Sequence, residues 1–237
     1  METGVRLERL RAEIFRNFAG IFLNLPDLDF ARAIADDRFV TAAAFDSIMD
    51  IAPKTEMEER PAEGEEVGVT ELLSEGLADI QRYANDCKGV PLETVHLNLG
   101  VERTRLVRGL ARGYGPPPPY GMNWKTPSPE SMGRLDSFYN EMSFSIPNRE
   151  NPTYIGVELA FLSLLCERIA EAEEEGADTG NLSIMREEFL RDDVLAWVPA
   201  YLRALIRETN LDFFRGVAKL LLASLKSFGS LRQVPIL

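Results

Sequence analysis

The chain has 237 residues, 45% hydrophobic and 27% charged, with a formal net charge of −12 and a pI near 4.7. This is the balance of a globular protein able to bury a sizeable core, and its negative excess argues against nonspecific binding to nucleic acid or anionic lipid. Two cysteines without CxxC spacing and a single histidine, His96, exclude a zinc site of the Cys/His kind.

In chain order, the first stretch, "VRLERLRAEIFRNFAGIFL", places Leu7, Leu10, Ile14, Phe18, Ile21 and Phe22 at steps of three and four, the mark of a helix over 5–23 with one apolar face. Arginines interleave with those apolar residues, so the stretch does not read as a secretory signal. No run of about 18 apolar residues follows anywhere, and no membrane span is expected. Helices are predicted over 28–35 and 37–51. The segment "APKTEMEERPAEGEEVGVTE" (52–71), with seven glutamates, reads as an exposed loop.

Helices are then predicted over 68–86 and 97–112. Next comes "GLARGYGPPPPYGMNWKTPSPESMG" (109–133), in which Pro116–Pro119 end a helix and stiffen the backbone that carries Tyr114, Tyr120 and Trp124. Such a ring-rich, donor-poor segment is either a connector with packing rings or a platform for a guest. Ser128, Pro129 and Glu130 open a helix over 129–144 with the stripe Met132, Leu135, Tyr139 and Met142.

Asn151 as cap, Pro152 at the first position and Gly176 as terminator predict a long helix over 152–175, with Ile155, Leu159, Leu162, Cys166 and Ile169 inward. The run "EAEEEGAD" at its end reads as a solvated, fraying terminus. Two more helices follow: 183–208, bent or divided at Pro199, and 211–228. Alternating strands and repeats are absent. The fold class is all-α, a single bundle-like domain of roughly ten helices over 1–237, with a hinge candidate in 113–128 or 145–152.

Chemistry leaves little trace. The sequence contains no GxxxxGK, strand-borne GxGxxG, HExxH or GxSxG. His96 near a helix start reads as structural rather than catalytic, and Cys166 as a buried small hydrophobe. Neighbouring acids such as Asp192–Asp193 and Glu187–Glu188 point about 100° apart on a helix and do not share a site. Glutamate-only metal sites on facing helices stay open.

Four stretches carry a likeness. They are "ERTRLVRG" (102–109), "PPYGMNW" (118–124), "VELAFLSLL" (157–165), and "FLRDDVLAWVPAYLRAL" (189–205) with "FFRGVAKLLLASL" (213–225). Together and in this order they resemble the TorD/DmsD family of redox-enzyme maturation chaperones, with its Pro-Pro-aromatic turn, Glu-Leu helix and Trp-x-Pro step. The resemblance implies an all-helical, non-enzymatic chaperone of the cytoplasm. Such a protein binds the twin-arginine signal peptide of a molybdopterin-containing oxidoreductase subunit, and the apoenzyme too, during cofactor insertion and before export.

The resemblance also implies a monomer or domain-swapped dimer, no cofactor beyond weak GTP binding, and no stable membrane insertion. The alternatives are a nitrate-reductase-type assembly chaperone for a non-exported molybdoenzyme and a nucleotide-dependent helical switch. In one respect the chain departs from the family: Thr153 and Tyr154 stand where the family often carries an Asp-His pair, five and four residues before Glu158. The histidine that often precedes the Trp-x-Pro step is missing as well, with Asp193 near its place.

A twin-arginine leader offers adjacent guanidinium groups and then an apolar run. Its receptor needs carboxylates beside an aromatic-walled groove. The expected peptide-binding residues are therefore Tyr114, Pro118, Pro119, Tyr120, Gly121, Trp124, Thr153, Tyr154, Glu158, Asp192, Asp193 and Trp197, in a cleft between the proline turn and the helices beginning at 152 and near 190. Each has a plainer reading beside it: Trp197 with Tyr201 as core, Glu158 as exposed or structurally paired, Asp192 and Asp193 as solvated acids.

Overall fold

Helix α1, Glu2–Leu23, buries Ala12, Phe15, Phe18, Ala19 and Phe22, so the predicted apolar face is present but centred on Phe15; Leu7, Leu10 and Ile21 lie half-buried at its edges. The structure, a computed structural model, describes residues 2–38, 68–109, 114–126 and 128–230. Among them the fold is all-α: nine α-helices with short 3₁₀ and π turns, and an isolated bridge between Tyr120 and Tyr154 as the only β feature. No helix of the described residues is long and apolar enough to cross a membrane. By contacts the chain forms two compact units, Met1–Leu25 with Pro117–Tyr201 and Pro26–Pro116 with Leu202–Leu237. One passage between them, Pro116 to Pro117, falls inside the first hinge interval.

The first unit is organised around α6 (Ile155–Glu175), which packs along α1. The expected inner residues Ile155, Leu159, Leu162, Cys166 and Ile169 are buried, and so are Val157, Phe161 and Leu165 on other faces, because this helix is covered nearly all round. Ser163 Oγ donates to the Ala12 carbonyl at 2.7 Å. Phe161 also anchors a ring cluster, with Tyr139 at 4.7 Å, Phe144 at 5.2 Å and Phe189 at 4.9 Å, all edge-on. Burial raises the Cys166 thiol's pKa, which suits a packing residue. The acidic end of α6 is less idle than expected: Glu174 pairs with Arg9 of α1 at 2.6 Å.

Several boundaries differ from expectation for identifiable reasons. Helix α5, Pro129–Glu141, begins as predicted on the Ser128 cap, with a reciprocal Ser128–Ser131 capping box. It ends three residues early, where Ser143 adopts a positive φ of 50° and Phe144 N–H returns to the Tyr139 carbonyl, turning Phe144 into the ring cluster. Helix α6 begins at Ile155 rather than 152. Asn151 caps the turn before the helix, its Oδ1 accepting from the Thr153 N–H and hydroxyl at 2.8 Å each. Gly176 closes α6 in the left-handed region, as expected.

The predicted helix 183–208 is divided, but not by Pro199. Helix α7 (Gly180–Phe189) runs into a five-residue π turn, Leu190–Val194, and α8 (Val198–Glu208) starts afresh, with Pro199 in its first turn where a missing N–H costs nothing. The unit boundary at Tyr201 falls within α8.

The second unit contains α2 (Leu28–Ala35), α3 (Val69–Asp86), α4 (Leu92–Arg108) and α9 (Asp212–Ser230). Helix α4 starts five residues before the predicted 97 and stops at Gly109, a left-handed cap. The predicted helix 37–51 is not helical at Asp37, which has a positive φ, and from 39 on lies outside the described residues, as does the acidic loop up to 67. His96 is structural here, its Nε2–H donating to the Pro26 carbonyl at 3.0 Å. Glu102 accepts from the Asn210 N–H at 2.6 Å and from the Thr209 hydroxyl at 3.1 Å, fixing the approach to α9.

Helices α3 and α9 touch backbone to backbone at Gly76 and Gly216. A Cβ on Gly216 would lie 2.5 Å from the Gly76 carbonyl oxygen and 2.6 Å from Ile80 Cγ1. Gly216→Ala is therefore expected to destabilise by about 1–3 kcal/mol through overpacking. Gly133→Ala, in open space on α5, should stabilise by about 0.8–1 kcal/mol through helix propensity. Urea midpoints for the two variants measured side by side check both signs.

Candidate functional site

The proline segment has few donors but many acceptors, and its carbonyls organise the turn. Pro118 O accepts from Tyr120 N at 2.8 Å, Asn123 Nδ2 at 3.0 Å and Trp124 Nε1 at 3.1 Å. Pro119 O accepts from Ile155 N at 3.0 Å, and Gly121 N donates to Thr153 O at 2.8 Å. Two backbone bonds thus clamp the turn to the start of α6. They hold Tyr154 extended after the Pro152–Thr153 turn and so delay the helix.

Gly121 then opens a 3₁₀ turn, Gly121–Asn123. A Cβ there would come within 3.3 Å of both Thr153 Cβ and Trp197 Nε1, so glycine answers to close packing at this position.

The first unit brings eleven of the twelve expected residues to one region. Tyr114, exposed, belongs to the second unit, where its carbonyl takes a 3.4 Å bond from Arg105. The remainder separate by exposure. Tyr120 and Trp124 are half-buried: Tyr120 stacks 5.3 Å from Tyr154, and Trp124 meets Tyr201 edge-on at 5.6 Å. Pro118 is half-buried; Pro119, Gly121, Thr153, Tyr154, Glu158, Asp193 and Trp197 are buried.

Tyr154, in the place of the family histidine, donates its hydroxyl to the Phe22 carbonyl at 2.6 Å. It therefore braces α1. Asp193 is not the solvated acid of the plainer reading.

The carboxylates are matched internally. Glu158, fully buried, accepts from Trp197 Nε1 through Oε2 at 3.0 Å, while its Oε1 has no hydrogen-bond partner. Asp193 accepts from Lys125 Nζ at 3.1 Å and from Arg134 at 3.3 Å. Lys125 Nζ also reaches the Asp192 carbonyl at 3.0 Å and the Asp193 carbonyl at 3.4 Å.

The Asp193 carbonyl is available because the backbone is irregular in and just after the π turn. Leu195 N–H returns to Leu190 O and Trp197 N–H to Val194 O, so the Asp193 carbonyl is spared the α-helical bond it would otherwise receive from Trp197. Asp192, partly exposed, is held below the usual carboxylate range chiefly by its bond to Arg191, with Arg134 adding to it.

Sequence reasoning missed Lys125, Arg134 and Met122. A base directly after Trp124, inside an otherwise aromatic and proline-rich run, was the one available signal for Lys125. Met122 is 57% exposed. Beside it opens a recess of about 140 Å³ lined by Met122, Met132, Leu135, Asn151, Lys125 and Asp193, among others. Its walls are mainly apolar, and it is smaller than the roughly 300–1,000 Å³ of pockets for drug-sized ligands. That size suits a single inserted side chain.

Burial is the first cause that pushes the Glu158 carboxyl well above its ordinary range; Lys125 pulls it back, Asp193 pushes it up, and the Trp197 bond lowers it. A carboxyl with a raised native pKa binds more protons folded than unfolded. Its contribution to stability is therefore present at low pH and is lost as pH rises from the unfolded value of about 4.3 toward the native one. Glu158→Gln cannot ionise and keeps an oxygen for Trp197. Its stability relative to the parent should rise as pH increases above about 4.3, the unfolded value, read from urea midpoints at each pH; a flat or falling difference would contradict the assignment.

Residues 69–203, more than half of the chain, match the family model described as "Nitrate reductase delta subunit". The match begins upstream of "ERTRLVRG" and stops before 213–225. No curated protein matches the chain.

Proposed function

As the chain belongs to the nitrate reductase delta subunit family, which implies a molybdoenzyme assembly chaperone, we propose that it holds the twin-arginine leader of a molybdoenzyme subunit, in the cytoplasm and before export, on the face formed by residues 118–125 and α5. The observation that carries this reading is the exposed edge of a stiff turn. Tyr120 and Trp124 stand half-buried and Met122 is exposed beside an apolar recess, on a backbone clamped by two hydrogen bonds to residues 153–155. A pre-ordered wall loses little entropy when a guest arrives.

Methionine is suited to varied apolar guests, since its unbranched side chain adapts its shape. An apolar helix or strand of the leader would insert one side chain between Met122, Met132 and Leu135. The net charge of −12 draws a cationic leader toward the surface. This assigns binding and release to the site, with no bond made or broken.

The test is a titration of the purified protein with the leader of the molybdoenzyme subunit encoded nearest to it, followed by fluorescence anisotropy. Met122→Asp should weaken binding about tenfold or more by setting a charge where an apolar contact of about 1.5–3 kcal/mol forms. Leu97→Asp, on an exposed position of α4 in the second unit, should leave binding unchanged. Absence of binding to any such leader would overturn the reading.

A further inference from the structure

Lys125 reaches across from the turn to the opposite wall of the site with only about one fifth of its side chain exposed. Its ammonium group meets three oxygens there, Asp193 Oδ1 and the carbonyls of Asp192 and Asp193. Nearby, Glu158 is fully buried, and its Oε1 has no hydrogen-bond partner. Asp193 itself is buried and takes a second cation, Arg134, from α5. A buried carboxylate such as Asp193 requires positive charge inside the fold, Glu158 adds an unpartnered oxygen beside it, and the carbonyls of Asp192 and Asp193 meet the same ammonium group.

We propose that Asp193, Glu158 and the carbonyls of the π turn form a seat for an alkylammonium or guanidinium group, and that Lys125 is its resident occupant. The arrangement is a receptor for a basic side chain, filled in cis. It rests on the leader-binding reading only for its biological consequence: with the seat taken, the leader is held through its apolar run, and its arginine pair contributes little. Lys125 is then a specificity determinant, because it answers the charge demand that an incoming arginine would otherwise meet.

Two measurements test this, and they fail separately. In the first, Lys125→Ala is melted with ethylammonium or methylguanidinium chloride and with tetramethylammonium chloride at equal ionic strength. The expected result is a rise in Tm for the variant with the two hydrogen-bonding cations alone and no selective rise for the parent. Adding Asp193→Asn to the variant should abolish the rise. Equal responses to all three salts would overturn the seat, since an ordinary salt effect does not depend on hydrogen-bond donors.

Should Lys125→Ala not fold, Lys125→Met keeps the length of the side chain and takes its place in the second measurement, which uses the leader and a copy with both arginines changed to alanine. The parent should bind the two within about twofold of each other. Lys125→Met should prefer the arginine form by about tenfold or more, the scale of one charge-assisted hydrogen bond. A parent that already discriminates tenfold, or a variant that gains no discrimination, would overturn the proposal. If neither protein binds either leader, the leader-binding reading falls, while the cation result still decides whether the seat exists.

Discussion

Carboxylates without water need positive charge nearby, and that demand ties the first unit together. Glu158 lies on α6, Asp193 in the π turn after α7, Lys125 at the end of the proline turn and Arg134 on α5. The four elements span Lys125 to Asp193, so a single electrostatic requirement links segments spread over some seventy positions. Removing one member of such a buried set leaves another charge unmatched, which is why clusters like this are costly to break even when they add little net stability. Trp197 completes the group by spending its only side-chain donor on Glu158.

The backbone follows from the same constraint. Lys125 needs carbonyl acceptors as well as a carboxylate, and it finds them at Asp192 and Asp193, where the backbone in and just after the π turn leaves the Asp193 carbonyl without its helical bond. On the other side, the carbonyls of Pro118 and Pro119 satisfy four donors between residues 120 and 155. Prolines make this economical: each lacks a donor of its own that would otherwise need a partner. A rigid wall with rings half in and half out of the core is the outcome, and a recess remains where Met122 and Met132 face each other without closing.

Much of the secondary structure was legible because it depends on local chemistry. The Ser128–Pro129 start, the Gly176 stop and the inward stripe of α6 all appear where residue type and spacing put them. Two of the misplaced boundaries share one cause. Asn151 and Pro152 form a good local start signal, yet tertiary hydrogen bonds from Pro119 and Gly121 hold Tyr154 extended. Pro199 is a good local breaker, yet the helix had already given way at residues whose carbonyls Lys125 uses.

The all-helical class, the stiff ring-bearing turn and the family resemblance were thus inherent in the order of residues, since periodicity, caps and prolines act over a few positions. Which acids would be buried, and with which bases, was not. Asp192 and Asp193 are neighbours of one chemistry, and only the folded chain turns one outward to Arg191 and the other inward to Lys125. That choice depends on distances between segments remote in sequence, and Coulomb energy in a dry interior is set by those distances.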